Sequence, residues 1–232
     1  MGRIVGMNRT IKLEWLNETA DLVLQGFDEA EIRLKLQEYL SFEIKSPVVL
    51  KNTRTILLQT WVYIPNEFCD IKNKALKLFV NSGVDRVIAH WCMMLLAYPL
   101  MVDICGYIGK ATKIQDYFSV AWLKEKLNEN WGERTTISDS ISKILQTFRQ
   151  LHVIDKIKTG VYIAKIQSIE ETEAISLMVQ TVLALKLKAY YEIDEISLTP
   201  QMFPFRYKVT HEILNASEDF TLSHFGGKTV LL

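Results

Sequence analysis

Residues 131–166 read WGERTTISDSISKILQTFRQLHVIDKIKTGVYIAKI. A polar turn from Trp131 to Thr135 precedes Ile137, Ile141, Ile144, Leu145, Phe148 and Leu151. These apolar residues recur at the helical period, so the spacing predicts an amphipathic helix over 136–151 with Thr136 as its cap. After His152 the pattern shortens to β-branched runs, VIDKI and VYIAKI, on either side of Lys158-Thr159-Gly160. With Gly160 free to take positive φ, the two runs predict a β-hairpin.

Working upstream, Phe118-Ser119 opens a helix over 120–129, with Ser119 as N-cap and Val120, Leu123 and Leu127 facing inward. Helix, turn, amphipathic helix and hairpin in about 50 residues is the order of a winged helix, here spanning 113–166. In such a module the second helix docks in the major groove and the wing touches the backbone. The face away from the apolar stripe carries Thr136, Asp139, Ser140, Lys143, Gln146, Thr147, Arg149 and Gln150. Arg134 lies in the preceding turn, and Lys156, Lys158 and Lys165 lie in or beside the wing. Arg and Lys donate to guanine O6 and N7, Gln pairs with adenine, and Ser and Thr reach phosphates. Arg134, Thr136, Ser140, Lys143, Thr147, Arg149, Lys156 and Lys158 are therefore the candidate DNA-binding residues. Asp139, near the helix N-terminus, complements the dipole. Any amphipathic helix shows water a polar face, and winged helices also mediate protein contacts. A protein–protein scaffold that does not touch nucleic acid is thus the competing reading.

The N-terminal quarter is helical by the same criteria. Leu13, Leu16, Ala20, Val23 and Leu24 sit at helical spacing within 10–25, and Gly26 stops the helix. Asp28 and Glu31 form a capping pattern for a second helix over 29–40, with Ile32, Leu36 and Leu40 as its core face. Pro47 ends the SFEIKSP connection and starts a third helix over 48–63. This is a helix-turn-helix outline, with Lys51, Asn52, Arg54 and Thr55 on the exposed part of the third helix. A three-helix bundle with a solvated face fits equally well. Beyond a connector at 65–73, a helix is expected over 72–82, broken at Asn81-Ser82-Gly83.

The segment 87–109, VIAHWCMMLLAYPLMVDICGYIG, is the most apolar in the chain. A membrane span needs about 20 predominantly apolar residues, whereas His90, Pro99 and Asp103 interrupt this one. It reads as a buried hairpin of helices broken before Pro99, joining the two halves. Membrane association through it is a minor rival. Downstream, a helix is expected from Ile169 to about Tyr190. A Pro-punctuated loop (LTPQMFPF) follows, then a short element near 207–216, and a final hairpin, FTLSHF-GG-KTVLL. The expected organisation is an N-terminal helical module (1–64), a central connector (65–112), the winged helix (113–166) and a C-terminal extension (167–232). The fold class is mainly α, with a short β-hairpin at the C-terminus.

The 27 basic and 27 acidic side chains of the 232-residue chain balance overall but not locally. Residues 110–166 carry 10 basic and 6 acidic side chains, and residues 167–232 carry 5 and 9, so the positive field falls on the quoted stretch. Cys69, Cys92 and Cys105 show no C-x-x-C spacing and suit a reducing interior, which places the protein in the cytoplasm. The N-terminus lacks a signal-peptide run, and Met7 marks the first six residues as a tag or an alternative start. His90, His152, His211 and His224 form no metal-binding spacing, and Gly106 to Lys110 lacks the spacer of a phosphate loop. His211-Glu212 reads as a surface pair, and Asp103 beside Cys105 lacks an activating partner. No enzymatic activity, cofactor, metal or small-molecule substrate is expected. Trp91, Trp122 and Trp131 read as core, with Trp131 open as a stacking platform.

Three stretches together carry a resemblance: LQGFDEAEIRLKL…SPVVLKNTRTI, ALKLFVNSGVDRVIAHW, and FSVAWLKEKL…ERTTISDSISKILQTFRQLHVID. In their order the chain resembles the BrxA family, small accessory proteins of the BREX phage-defence systems of bacteria. The resemblance spans residues 10–166 and does not extend to 170–232. It implies paired helix-turn-helix or winged modules that bind double-stranded DNA alongside other defence-complex proteins. It also implies Lys51, Asn52 and Arg54 as contacts in the first module, and Lys143, Thr147 and Arg149 in the second. That family has also been catalogued as inner-membrane protein, a label that a hydropathy plot of 87–109 would suggest.

Overall fold

The computed structural model describes residues 6–215, 220–225 and 227–231, and the protein is mainly helical with small sheets. Helices α1 (Leu13–Leu24), α2 (Glu29–Ser41) and α3 (Pro47–Trp61) follow local signals closely. Gly26 takes φ +80°, which ends α1. Asp28 and Glu31 form a reciprocal capping box on α2. Ser46 caps α3, whose first residue is Pro47. Ile32, Leu36 and Leu40 of α2 are buried with Ile56, Leu57 and Trp61 of α3.

Helices α4 (Cys69–Phe79), α5 (Val84–Ala97) and α6 (Pro99–Ala111) come next. α4 begins three residues earlier than its periodicity suggests, continuing a 3-10 turn at Asn66–Phe68. Every residue from Val87 through Tyr98 is buried. Tyr98 adopts an extended backbone, because Pro99 clashes with a helical predecessor. α5 and α6 consequently meet at a bend of 119°. No single helix among the described residues is long and apolar enough to cross a membrane; this pair has the composition only together, across its bend. His90 in α5 is fully buried and accepts at Nδ1 from Trp61 Nε1 at 3.1 Å. Its proton therefore sits on Nε2, which donates to Asn17 Oδ1 at 2.9 Å. Burial lowers its pKa to about 3, so the imidazole stays neutral.

The next unit runs β1 (Tyr117–Ser119), α7 (Val120–Trp131), α8 (Thr135–Gln150), β2 (Ile154–Lys158) and β3 (Val161–Ala164). Ser119 caps α7, accepting from the Trp122 N–H. Phe118 belongs to a strand and not to the helix start, because Tyr117–Ser119 pair antiparallel with Ile163–Val161. The sheet order is β1-β3-β2. At α8 the cap position falls on Arg134, two residues before Thr136, and no side chain caps it.

The remainder comprises β4 (Gln167–Ser168), α9 (Thr172–Ala184), β5 (Tyr191–Glu192), α10 (Ile193–Ile196), β6 (Phe205–Arg206), α11 (His211–Asn215), β7 (Leu222–Phe225) and β8 (Lys228–Leu231). α9 is shorter than the expected 169–190 helix. Its would-be first residues are committed to a parallel ladder: β4 pairs with β6, and the Ile169 N–H donates to the Arg206 carbonyl. Its end is marked by Lys186 at φ +51°. β8 runs between β5 and β7, antiparallel to both. Of the expected Gly-Gly turn, Gly227 takes φ +81° and Gly226 lies outside the described residues. The buried apolar side chains form one continuous cluster from Met7 to Leu231.

α6 is covered on one face by the Pro200–Met202 turn, which approaches through two glycines. A Cβ at Gly109 would sit 2.1 Å from the Pro200 carbonyl oxygen, and one at Gly106 2.9 Å from Gln201 Nε2. The Trp91 Nε1–H donates to the Gln201 carbonyl and holds the turn from the α5 side. Gly109→Ala is expected to cost ~1–3 kcal/mol, seen in a thermal melt at roughly 2–4 °C per kcal/mol for a chain this long. Gly106→Ala, which meets only a movable side-chain end, should cost clearly less.

Candidate nucleic-acid interface

α8 is seated by α6, α7 and β2. Ile137, Ser140, Ile141, Ile144, Leu145, Thr147 and Phe148 are its buried residues. At 3.6 residues per turn they leave an arc of roughly 200° open. That arc holds Thr135, Thr136, Ser138, Asp139, Ser142, Lys143, Gln146, Arg149 and Gln150. One flank is closed by the chain's own N-terminal segment. The Ile11 N–H donates to Thr147 Oγ1 at 3.0 Å, and that hydroxyl donates to the Lys143 carbonyl at 3.0 Å. A Cβ at Gly6 would stand 3.0 Å from the Ser140 Cβ. Thr147 is fully buried and Ser140 nearly so. Both were expected on the open face; instead they lie beneath residues 6–11 and reach no groove.

The hairpin continues the open face. Tyr162 lies opposite Phe118 on β1 and opposite Lys156 on β2. The Phe118 and Tyr162 rings stack with centroids 5.9 Å apart. Directly paired residues project on the same side of a sheet, so Lys156 shares the face of Tyr162. The Tyr162 hydroxyl accepts from Gln146 Nε2 at 3.5 Å, the long end of hydrogen-bond range, and Arg149 Nη1 donates to Gln146 Oε1 at 3.0 Å. Gln146 thus joins the polar face of α8 to the sheet. The ladder is irregular between Lys156 and Lys158, and Gly160 turns the hairpin at φ +74°.

Among the described residues, Arg134, Lys143, Arg149, Lys156 and Lys158 make no ion pair, whereas Lys165 pairs with Asp155 at 3.0 Å. Lys143 is half-buried and the other four unpaired cations are exposed, as are Thr136 and the acidic Glu133 and Asp139. The surface is thus polar, cationic in balance and open to solvent.

The α3 set is not assembled in the same way. Lys51 is exposed and Asn52 half-buried. The Arg54 guanidinium donates sideways to the Gln37 side chain on α2. Nearby, the Glu29 carboxylate accepts from Arg33 and from the Tyr63 hydroxyl. Trp131 is tied to α6 through Nε1–H to Asp103 Oδ2 at 2.8 Å and offers no free indole edge for hydrogen bonding. Burial raises the Asp103 carboxyl pKa, with the Trp131 bond acting in the opposite direction. Burial also pushes the Cys92 thiol up to about 12 and Cys105 well above its ordinary value. No group of three or more His, Cys, Asp or Glu among the described residues is placed to hold a metal ion.

No protein-family model, curated protein or solved structure matches the chain. The site therefore stands on its geometry. Of the two residues that connect helix and hairpin, Gln146 was expected on the polar face but not among the named DNA contacts, and Tyr162 was not singled out. Their signals were present: Gln146 precedes Arg149 by one turn, and Tyr162 alternates inward on β3.

Thr147→Val would leave the buried Ile11 N–H without an acceptor and is expected to cost ~1–3 kcal/mol. The same exchange at exposed Thr136 should stay within about 0.5 kcal/mol. Urea denaturation of the two variants side by side measures the difference.

Proposed function

We propose that this chain is a non-enzymatic double-stranded DNA-binding accessory protein that contacts the duplex through a winged helix at residues 113–166. The observation that carries the reading is the run of five cations across the turn, α8 and the hairpin that make no ion pair among the described residues. Two helices in front of a small antiparallel sheet of order β1-β3-β2, preceded by α6, support the winged-helix description. In this reading α8 enters the major groove. Lys143 and Arg149 lie toward base edges and the flanking phosphates, and Lys156 and Lys158 clamp the backbone. Arg134 and Thr136 lie beside the open N–H groups of the α8 N-terminus, which favour a phosphate. α1–α3 serve as a packed module, with Lys51 as their one exposed candidate cation. Membership of a phage-defence assembly, and a cytoplasmic setting, rest on the sequence reading and its family resemblance.

A second reading, a protein-binding scaffold, draws on one observation: Leu34, Phe42 and Val48 of the α2–α3 region are 71%, 75% and 65% exposed.

Fluorescence anisotropy with a random duplex of ~30 base pairs separates the two. Five phosphate neutralisations predict an affinity loss on the order of 10²–10³-fold between about 50 and 200 mM salt. The Lys143→Glu/Arg149→Glu variant should bind at least ~100-fold more weakly, with a shallower salt slope. Absence of binding at low salt, or an unchanged affinity in the folded variant, would favour the scaffold.

A further inference from the structure

A cavity of about 550 Å³ opens between the C-terminal end of α6 and the loop 197–207, and none of the residues assigned to DNA lines it. This volume lies within the range of small-molecule sites. Its wall is apolar where Phe203 and its neighbours form it, and Ile166 and Leu198 stand at it 39% and 62% exposed. Its charged lining residues are Lys113 and Arg206, with no carboxylate, thiol or imidazole among the described lining residues. Lys113 donates one proton to the Leu198 carbonyl at 2.8 Å and keeps two donors. Arg206 makes no ion pair among the described residues, while its backbone is held in the β4–β6 ladder.

The hydroxyl of Thr199 supplies the second, independent observation. Thr199 is nine-tenths buried, lines the cavity, and its Oγ1 has no hydrogen-bond partner. A buried hydroxyl left unpaired is costly, and a ligand acceptor that reached it from the cavity would satisfy it. The Pro200–Met202 turn that shapes the wall is rigidly placed, because Gly109 lets it approach the α6 backbone and Trp91 holds its carbonyl.

We infer that this cavity is a binding site for a small organic anion with an apolar body, its acidic head held between Lys113 and Arg206 and its body on the Ile166, Leu198 and Phe203 surface.

The test is a fluorescence titration of the full chain with 8-anilinonaphthalene-1-sulfonate, an aromatic body bearing one anionic group. One saturable site is expected, with affinity falling at least ~10-fold in Lys113→Glu/Arg206→Glu. N-phenyl-1-naphthylamine, which lacks the sulfonate, should bind wild type at least ~10-fold more weakly. Leu198→Glu, a change at an exposed residue that spares the fold, should abolish binding by placing a carboxylate at the mouth. Absence of saturable binding to wild type, or unchanged affinity in the charge-reversed and Leu198→Glu variants, overturns the proposal. Leu198→Glu, which lies outside residues 113–166, should bind duplex DNA as wild type does, so this site and the α8 surface fail or stand separately.

Discussion

The break between Tyr98 and Pro99 is the constraint on which the rest of the structure depends. Proline excludes a helical conformation at the residue before it and removes a backbone donor, so one apolar run becomes two helices set 119° apart. α5 then packs against α3, α4 and α9, while α6 packs against α7, α8, β1 and the Pro200–Met202 turn. A single straight helix would present its apolar surface along one axis. The bent pair gives each half of the protein its own wall of the common core. Gly109 extends the same logic, since only a residue without a Cβ lets the Pro200 carbonyl reach the α6 backbone.

The placement of α8 follows from that wall. Its apolar stripe is held from beneath, and the Ile11–Thr147 hydrogen bond closes one flank. What remains open is a polar face whose cations make no ion pair among the described residues. Solvated, unpaired cations contribute little to folding stability, but they are well suited to replace counterions on a polyanion. Tyr162, stacked on Phe118 and bonded to Gln146, fixes the hairpin relative to that face. The α3 face differs because its Arg54 is already engaged by Gln37.

Much of this was legible in the sequence, and the reason is locality. The Asp28–Glu31 box, the Pro47 start, the Ser119 cap and the Gly160 turn each depend on groups a few residues apart, so the residues themselves announce them. The stripe of Ile137 to Phe148 is a periodicity and survives as such. Ser140 and Thr147 were misplaced because what covers them, residues 6–11, arrives from the far end of the chain. The two-residue strands β4 and β6 are too short to carry any period, and their pairing is what delays α9. The cavity beside Thr199 draws on residues from 109 to 207, and no window of sequence contains it.

The claim that α8 and its hairpin form the DNA-binding face is tested most directly by lysine footprinting. Acetylation of the folded protein, with and without saturating random duplex at low salt, is read out residue by residue by mass spectrometry. Protection of Lys143, Lys156 and Lys158 by the duplex, with Lys51 modified equally in both samples, is the predicted result. Protection confined to Lys51 and its neighbours, with Lys143, Lys156 and Lys158 unaffected, would contradict it.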